Sequence, residues 1–302
     1  AALFAEVLPR GVVNVVTGRG ANTGAALVAH PGVRKISVTG STATGKRVMA
    51  AAAGTVKRLT LELGGKNAQI VYPDADLDRA AQGILLGAFL NQGQVCTAGS
   101  RVYVHREVAQ GLKDRIRALV PRLRIGDPFD PATHMGTLAS KEHFDRVAGY
   151  VDLARQEGGV MVCGEKPVRV DRYPRGLYMA PVLFERVDPD GRVAQEEIFG
   201  PVAAMWEWDD EAAMLERVNA VQHGLAAGIW TRSLVHAHAA AQAVQSGRVW
   251  VNCYNLFPSG AACGGSKASG FGREDAFETL LDFTEVKNVI VDAAPTYRSF
   301  YA

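Results

Sequence analysis

Between Glu6 and Glu62 the sequence contains no aspartate or glutamate, while Arg10, Arg19, Arg34, Lys35, Lys46, Arg47, Lys57 and Arg58 all fall inside that span. The gap excludes the ribose-binding carboxylate that ends the second strand of a standard dinucleotide unit. The local excess of positive charge fits either a solvated basic face or a field that favours an anionic ligand. Over the whole chain the formal net charge is only +2, so bulk charge does not point to nucleic acid or a membrane surface. Cysteine is scarce and scattered, at Cys96, Cys163, Cys253 and Cys263. No CxxC or Cys/His spacing of a metal site occurs, and a disulfide framework would be denser, so a reducing, cytoplasmic setting without a metal is expected. No apolar run approaches the ~18 residues that a membrane-crossing helix needs. Internal repeats and low-complexity segments are also missing.

What is present is ordinary globular material: 302 residues, 48% hydrophobic and 21% charged, enough for a large core and two domains. Residues 1–9 read as the last turns of an amphipathic helix, without an initiator Met or signal-peptide pattern. The β-branched run 11–17 predicts a strand, residues 25–30 a helix, 33–39 a strand, and 46–53 a helix. Strands with a helix between them argue for a parallel sheet. The loops 18–24 and 40–45 are glycine-bearing turns at strand ends, each opening a helix, where free N–H groups and the helix dipole suit a phosphate. The first is spaced G-x-G-x-x-x-G and departs from the dinucleotide fingerprint. Further strands are expected at 68–72, 101–105, 160–163, 178–184, 203–208, 225–231, 248–252 and 284–291. Helices are expected from an Asp76 cap toward Leu90, and at 106–122, 141–156, 210–219, 234–247 and 276–281. The glycine-rich stretch 256–274 reads as a functional loop.

Three places carry candidate chemistry. Cys96 sits among small and polar residues between a helical run and a strand, which fits a nucleophile or a buried structural thiol. Glu62 lies in an apolar run just before Gly64-Gly65, either as an outward strand residue or as a partly desolvated acid suited to general-base work. Glu196-Glu197 precede Ile198-Phe199 and a Gly-Pro stop, read locally as a short capped turn.

Taken in order, GSTATG (40–45), LELGGKN (61–67), NQGQVCTAGSR (91–101), EEIFGPV (196–202) and GGSKASGFGRE (264–274) resemble the NAD(P)-dependent aldehyde dehydrogenase superfamily, over Leu8 to Val291. The resemblance implies an α/β fold with a partial Rossmann-like cofactor domain (1–62), an α/β catalytic domain (63–262), and a C-terminal return segment (263–302) whose strand joins a partner subunit's sheet. It implies oxidation of an aldehyde to a carboxylic acid with NAD or NADP as cofactor, by a homodimer or homotetramer. Cys96 matches the nucleophile, which forms a thiohemiacetal and then a thioester, and its backbone N–H helps hold the oxyanion. Glu62 matches the base that activates the hydrolytic water. Gly40, Ser41 and Gly45 match the pyrophosphate turn, Leu63 and Gly64 the nicotinamide lining, Glu197 the nicotinamide-ribose partner, and Phe199 the ring beside it. Val95, Thr97, Phe257 and Cys263 match the substrate tunnel.

Two departures stand out. About two-fifths of a family chain is lacking at the N-terminus, including the oxyanion-hole Asn and the Lys and Glu that touch the adenosine ribose, so the chain reads as a fragment. The usual Pro-Phe before the C-terminal Gly-Gly is Ala262-Cys263 here, which widens the tunnel and favours bulkier or aromatic aldehydes. Two other functions compete: a cofactor-independent thiol esterase acting through Cys96 and Glu62, and a non-catalytic subunit that only binds partner chains. The presence of Glu62 argues against a CoA-acylating relative.

Overall fold

The computed structural model describes residues 2–164, 168–296 and 300–301. Its elements in chain order are α1 (Ala2–Val7), α2 (Ala25–Ala29), β1 (Lys35–Thr39), α3 (Thr42–Ala53), β2 (Arg58–Glu62), β3 (Ala68–Val71), α4 (Leu77–Phe89), β4 (Arg101–His105), α5 (Arg106–Leu119), α6 (Lys141–Gln156), β5 (Val160–Cys163), β6 (Val182–Glu185), α7 (Arg192–Gln195), β7 (Val202–Trp208), α8 (Glu211–Asn219), β8 (His223–Gly224), β9 (Ala226–Trp230), α9 (Leu234–Ala243), β10 (Arg248–Val251), β11 (Ser266–Lys267), β12 (Gly270–Phe271) and α10 (Phe277–Asp282).

β3 and β9 are buried at every position, which a strand covered by helices on both faces requires. They lie inside a seven-stranded sheet of order β10-β9-β3-β4-β7-β6-β5, parallel except where β5 meets β6. One set of core residues joins it to α4 and α5 through Ile84, Leu85, Leu112 and Ile116. Another joins it to α6 through Val147, Tyr150 and Val151. A third joins it to α8 and α9 through Met214, Val218 and Ala240. Asp76 caps α4 by accepting from the Arg79 N–H (3.1 Å), as its sequence predicts.

A smaller sheet has the order β1-β2-β12, with β1 and β2 parallel and β12 antiparallel. Glu62 is the last residue of its central strand, flanked by Thr39 and Gly270. Residues 63–67 carry the chain directly from β2 into β3 of the large sheet. The glycine-rich stretch closes back on both sheets, since β11 pairs with β8 while β12 pairs with β2. The α/β class and the parallel pairing expected from the sequence are therefore observed.

Two expected strands are not formed among the described residues. Residues 11–17 pair with no strand and leave Val12, Val13, Val15 and Val16 exposed. Residues 284–291 likewise run without a ladder, with Val286 98% and Ile290 86% exposed. Both runs have β-branched composition, but a strand exists only when a neighbour satisfies its backbone groups. The basic span is also less free than its charge pattern implies. Lys57 Nζ donates to the carbonyls of His30 and Val33 (2.6 Å each), and Arg34 pairs with Glu285 (2.6 Å). Arg58 bonds the Thr284 carbonyl, and Lys35 lies over the Phe283 ring. Much of that charge holds the C-terminal segment in place.

Candidate active site

Cys96 is presented by the loop between α4 and β4. Its approach is contorted: Asn91, Gln92 and Gly93 all have positive φ (50°, 58° and 68°). A Cβ on Gly93 would lie 2.3 Å from the Gly200 carbonyl oxygen, so this turn must pass against the 197–200 segment. Asn67 fixes the loop from below. Its Nδ2 donates to the carbonyls of Cys96 (2.9 Å) and Ala98 (3.0 Å), and its Oδ1 accepts from the Ala226 N–H (2.9 Å). Thr97 is buried, with its hydroxyl on Asn255 Oδ1 (3.0 Å) and its carbonyl accepting from the Tyr254 hydroxyl (2.8 Å). Burial, and then the Glu197 carboxylate, push the Cys96 thiol above its ordinary range, while the Thr97 N–H pulls the other way. The resting side chain is therefore a thiol.

Glu62 shares this field. Burial is the main cause that raises its carboxyl to about 7, with Glu274 and Asp275 pushing the same way and Arg273 and Arg248 opposing. Its Oε1 is buried and has no hydrogen-bond partner among the described residues. An acid balanced near neutrality with an unused acceptor can take a proton from water. A Cβ on Gly65 would stand 2.4 Å from the Cys96 carbonyl oxygen, so the segment just after Glu62 lies directly against the cysteine backbone.

Glu197 lies on the other side. Its Oε1 accepts from the Gly65 N–H (3.2 Å), and burial raises its carboxyl above the ordinary range. A Cβ on Gly64 would sit 2.1 Å from Glu197 Oε2, so only glycine permits this approach. Phe199, 37% exposed, adopts φ of 58°, a conformation costing about 1–3 kcal/mol for a residue with a Cβ. α6 holds it there. His143 Nε2 shares a hydrogen bond with the Phe199 carbonyl (2.6 Å), and Arg146 donates to the Glu197 carbonyl (2.5 Å).

The other expected residues spread over neighbouring positions. Gly40 donates its N–H to the Glu62 carbonyl (3.0 Å). Ser41 is the N-cap of α3, accepting from the Thr44 N–H (3.2 Å). Gly45 is buried, and a Cβ there would lie 2.5 Å from Leu63, so its place is close packing of α3 against that side chain. Leu63 N–H donates to the Ser269 carbonyl (2.9 Å). Val95 is partly buried beside Cys96. Phe257 packs edge-on to Trp250, and the half-buried Cys263 pairs its backbone with Glu274. Burial also raises the Cys263 thiol, and its charge interacts with Glu62.

Sequence reasoning did not single out Asn67, Ser269, His143, Arg146 or Arg248. Ser269 is wholly buried, donating to the Gly64 carbonyl (2.7 Å) and accepting from the Gly224 N–H (3.0 Å). The available signal was one of type: a polar side chain just before an apolar strand at Asn67, and a serine before Gly270 in a glycine-rich loop at Ser269.

A profile of the aldehyde dehydrogenase family matches residues 1–289. The chain belongs to the aldehyde dehydrogenase family. It is similar to a betaine aldehyde dehydrogenase of Sinorhizobium fredii, 44% identical over 285 residues, covering 94% of this chain and 58% of that protein. Among solved structures, PnpE from Pseudomonas sp. WBC-3 matches with a TM-score of 0.94 at 41% identity, covering 98% of this chain and 60% of that one. The NAD+ complex of a Bacillus cereus aldehyde dehydrogenase matches with a TM-score of 0.93 at 40% identity, covering 97% of this chain and 59% of that one. This aldehyde dehydrogenase chain therefore spans under two-thirds of the length of the relatives it matches.

Proposed function

We propose that the chain carries the thiol and general-base portion of an enzyme that oxidises an aldehyde to a carboxylic acid. The observation that carries the reading is Glu62: an acid at about 7 with a buried, unused oxygen, in the same electrostatic field as Cys96. Cys96, once deprotonated, adds to the aldehyde carbon to form a thiohemiacetal. Loss of hydride from that carbon leaves a thioester, and Glu62 takes a proton from the water that hydrolyses it. The Cys96 backbone N–H would donate to the oxyanion, as the family resemblance implies.

The residues present fit the nicotinamide end of NAD(P)+. The missing side chain at Gly64 lets the Glu197 carboxylate come up against the backbone, and Phe199, two residues on, presents a partly exposed ring. Glu197 would hold the ribose and the α3 N-terminus the pyrophosphate, while Gly40, its N–H on the Glu62 carbonyl, would shape the turn that leads there. When bound, the cofactor supplies the hydride acceptor. Family membership and the NAD+ complex of the Bacillus cereus relative support this assignment.

The test is rapid-quench mass spectrometry with aldehyde and NAD+. Glu62→Gln should slow hydrolysis of the Cys96 acyl-enzyme by about 10²–10⁴-fold while leaving its formation intact. In the wild type, hydrolysis should rise with pH through about 7, because the ionised form of Glu62 is the active one and exists above that value. A Glu62→Gln chain that hydrolyses its acyl-enzyme at the wild-type rate would remove Glu62 from this role.

A further inference from the structure

We propose that Arg248 is a positioning residue for Glu62: it pins the backbone that walls the base and keeps a positive charge beside its carboxylate. The inference rests on the reading of Glu62 as the base.

The contacts run without a break. Arg248 opens β10, and its Nη2 donates to the carbonyls of Ala261 (2.8 Å) and Ala262 (2.9 Å). The guanidinium lies 4.7 Å from the centre of the Phe257 ring, which orients it toward that loop. Its chain neighbour Gly247 meets the same loop two residues further on, since a Cβ there would stand 1.8 Å from the Gly264 carbonyl oxygen. Gly264 in turn faces the base: a Cβ on it would lie 2.8 Å from Glu62 Oε1. One arginine and one glycine at the start of β10 thus set the position of the wall against which Glu62 rests.

Charge completes the argument. Arg248 Nη1 is buried without a hydrogen-bond partner among the described residues, as are Glu62 Oε1 and Thr60 Oγ1. Thr60 and Glu62 share one face of β2, being two residues apart. The half-buried guanidinium, with one buried nitrogen left unused, favours the charged form of the Glu62 carboxyl. The other groups acting on Glu62 are Glu274 and Asp275, which oppose its ionisation, and Arg273, which favours it. The thiols of Cys96 and Cys263 share the same field. Arg273 acts on Glu62 more strongly than Arg248 does, and its Nη1 donates to the carbonyls of Gly265 (2.9 Å) and Gly272 (2.7 Å), so Arg248 is the second of two cations that favour the carboxylate.

Infrared difference spectroscopy of the whole chain reads the Glu62 carboxyl directly, through the protonated-acid band that Glu62→Gln removes. Arg248→Met retains a long stem over Phe257 and loses the charge. Its Glu62 midpoint should rise by at least about half a pH unit, and the acid limb of acyl-enzyme hydrolysis should move with it. Arg248→Lys, which keeps the charge, should titrate close to the wild type. If Arg248→Met does not fold, Arg248→Gln, which keeps a donor for the loop and loses the charge, takes its place with the same expectation. A folded Met or Gln variant with the wild-type midpoint overturns the proposal, as does a Lys variant that rises as far as the neutral ones. A purely structural role would lower stability without moving the midpoint. Wild-type hydrolysis by Glu62→Gln would defeat the base assignment and leave the Arg248 midpoint result standing.

Discussion

Cys96 is held as a thiol by burial and by the Glu197 carboxylate, so its reactivity toward soft electrophiles is limited by deprotonation. Alkylation of Cys96 by iodoacetamide, followed by peptide mass spectrometry, should be slow at pH 7 and climb with pH. Glu197→Gln removes the second cause of the raised value and should speed alkylation at pH 8 by about 2–5-fold. An unchanged rate would mean that Glu197 does not act on the thiol. Cys96 and Glu62 were legible as candidates because each sits in a motif of the ordered set that resembles the family. Asn67, Ser269 and Arg248 were not, because a side chain that works by gripping distant carbonyls leaves no local pattern. Asn67 reaches Cys96, and Arg248 reaches residues 261 and 262, only after the chain has folded.

Among the elements, α4 shows how tightly the helices lie on the large sheet. A Cβ on Gly83 would stand 1.9 Å from the Trp230 ring, and that ring is 1% exposed with its Nε1 on Gln69 Oε1 (3.2 Å). Gly83→Ala would gain about 1 kcal/mol of helix propensity in an open helix. Here overpacking costs about 1–3 kcal/mol, so the clash wins and denaturant unfolding should show net destabilisation. A more stable Gly83→Ala chain would show that α4 can slide away from Trp230. Elements with local start signals were read accurately from sequence: α6 spans Lys141–Gln156, and Ser140 caps it by accepting from the His143 N–H (3.1 Å). The runs 11–17 and 284–291 form no strand among the described residues for the opposite reason. Their β-branched residues state a preference for a sheet, and nothing local states whether a neighbouring strand exists.

Over the whole molecule, exposed apolar residues gather in residues 3–16 and in the C-terminal segment, where Val289, Ile290 and Val291 are 70%, 86% and 79% exposed. An unpaired run of this kind is a template for pairing with another chain. We expect it to add to a partner's sheet, as the family resemblance implies. Ile290→Lys should then lower the mass measured by light scattering on size exclusion, with the circular dichroism spectrum unchanged. An unchanged mass would place assembly elsewhere. This level was the least legible: the order of motifs identified the family, but the sheet order and the anchoring of the C-terminal segment by Arg34 and Arg58 depend on residues far apart in sequence.

The proposed base and nucleophile belong to different sheets. Glu62 ends a strand of the small sheet and Cys96 hangs from a loop of the large one; the chain crosses between the sheets through residues 63–67 and returns from β10 to β12 through residues 252–269. Ser269 closes the join like a rivet, bonding Gly64 on one side and Gly224 on the other. The spacing of acid and sulfur is thus set by how the two sheets are fastened to each other, and by neither sheet alone.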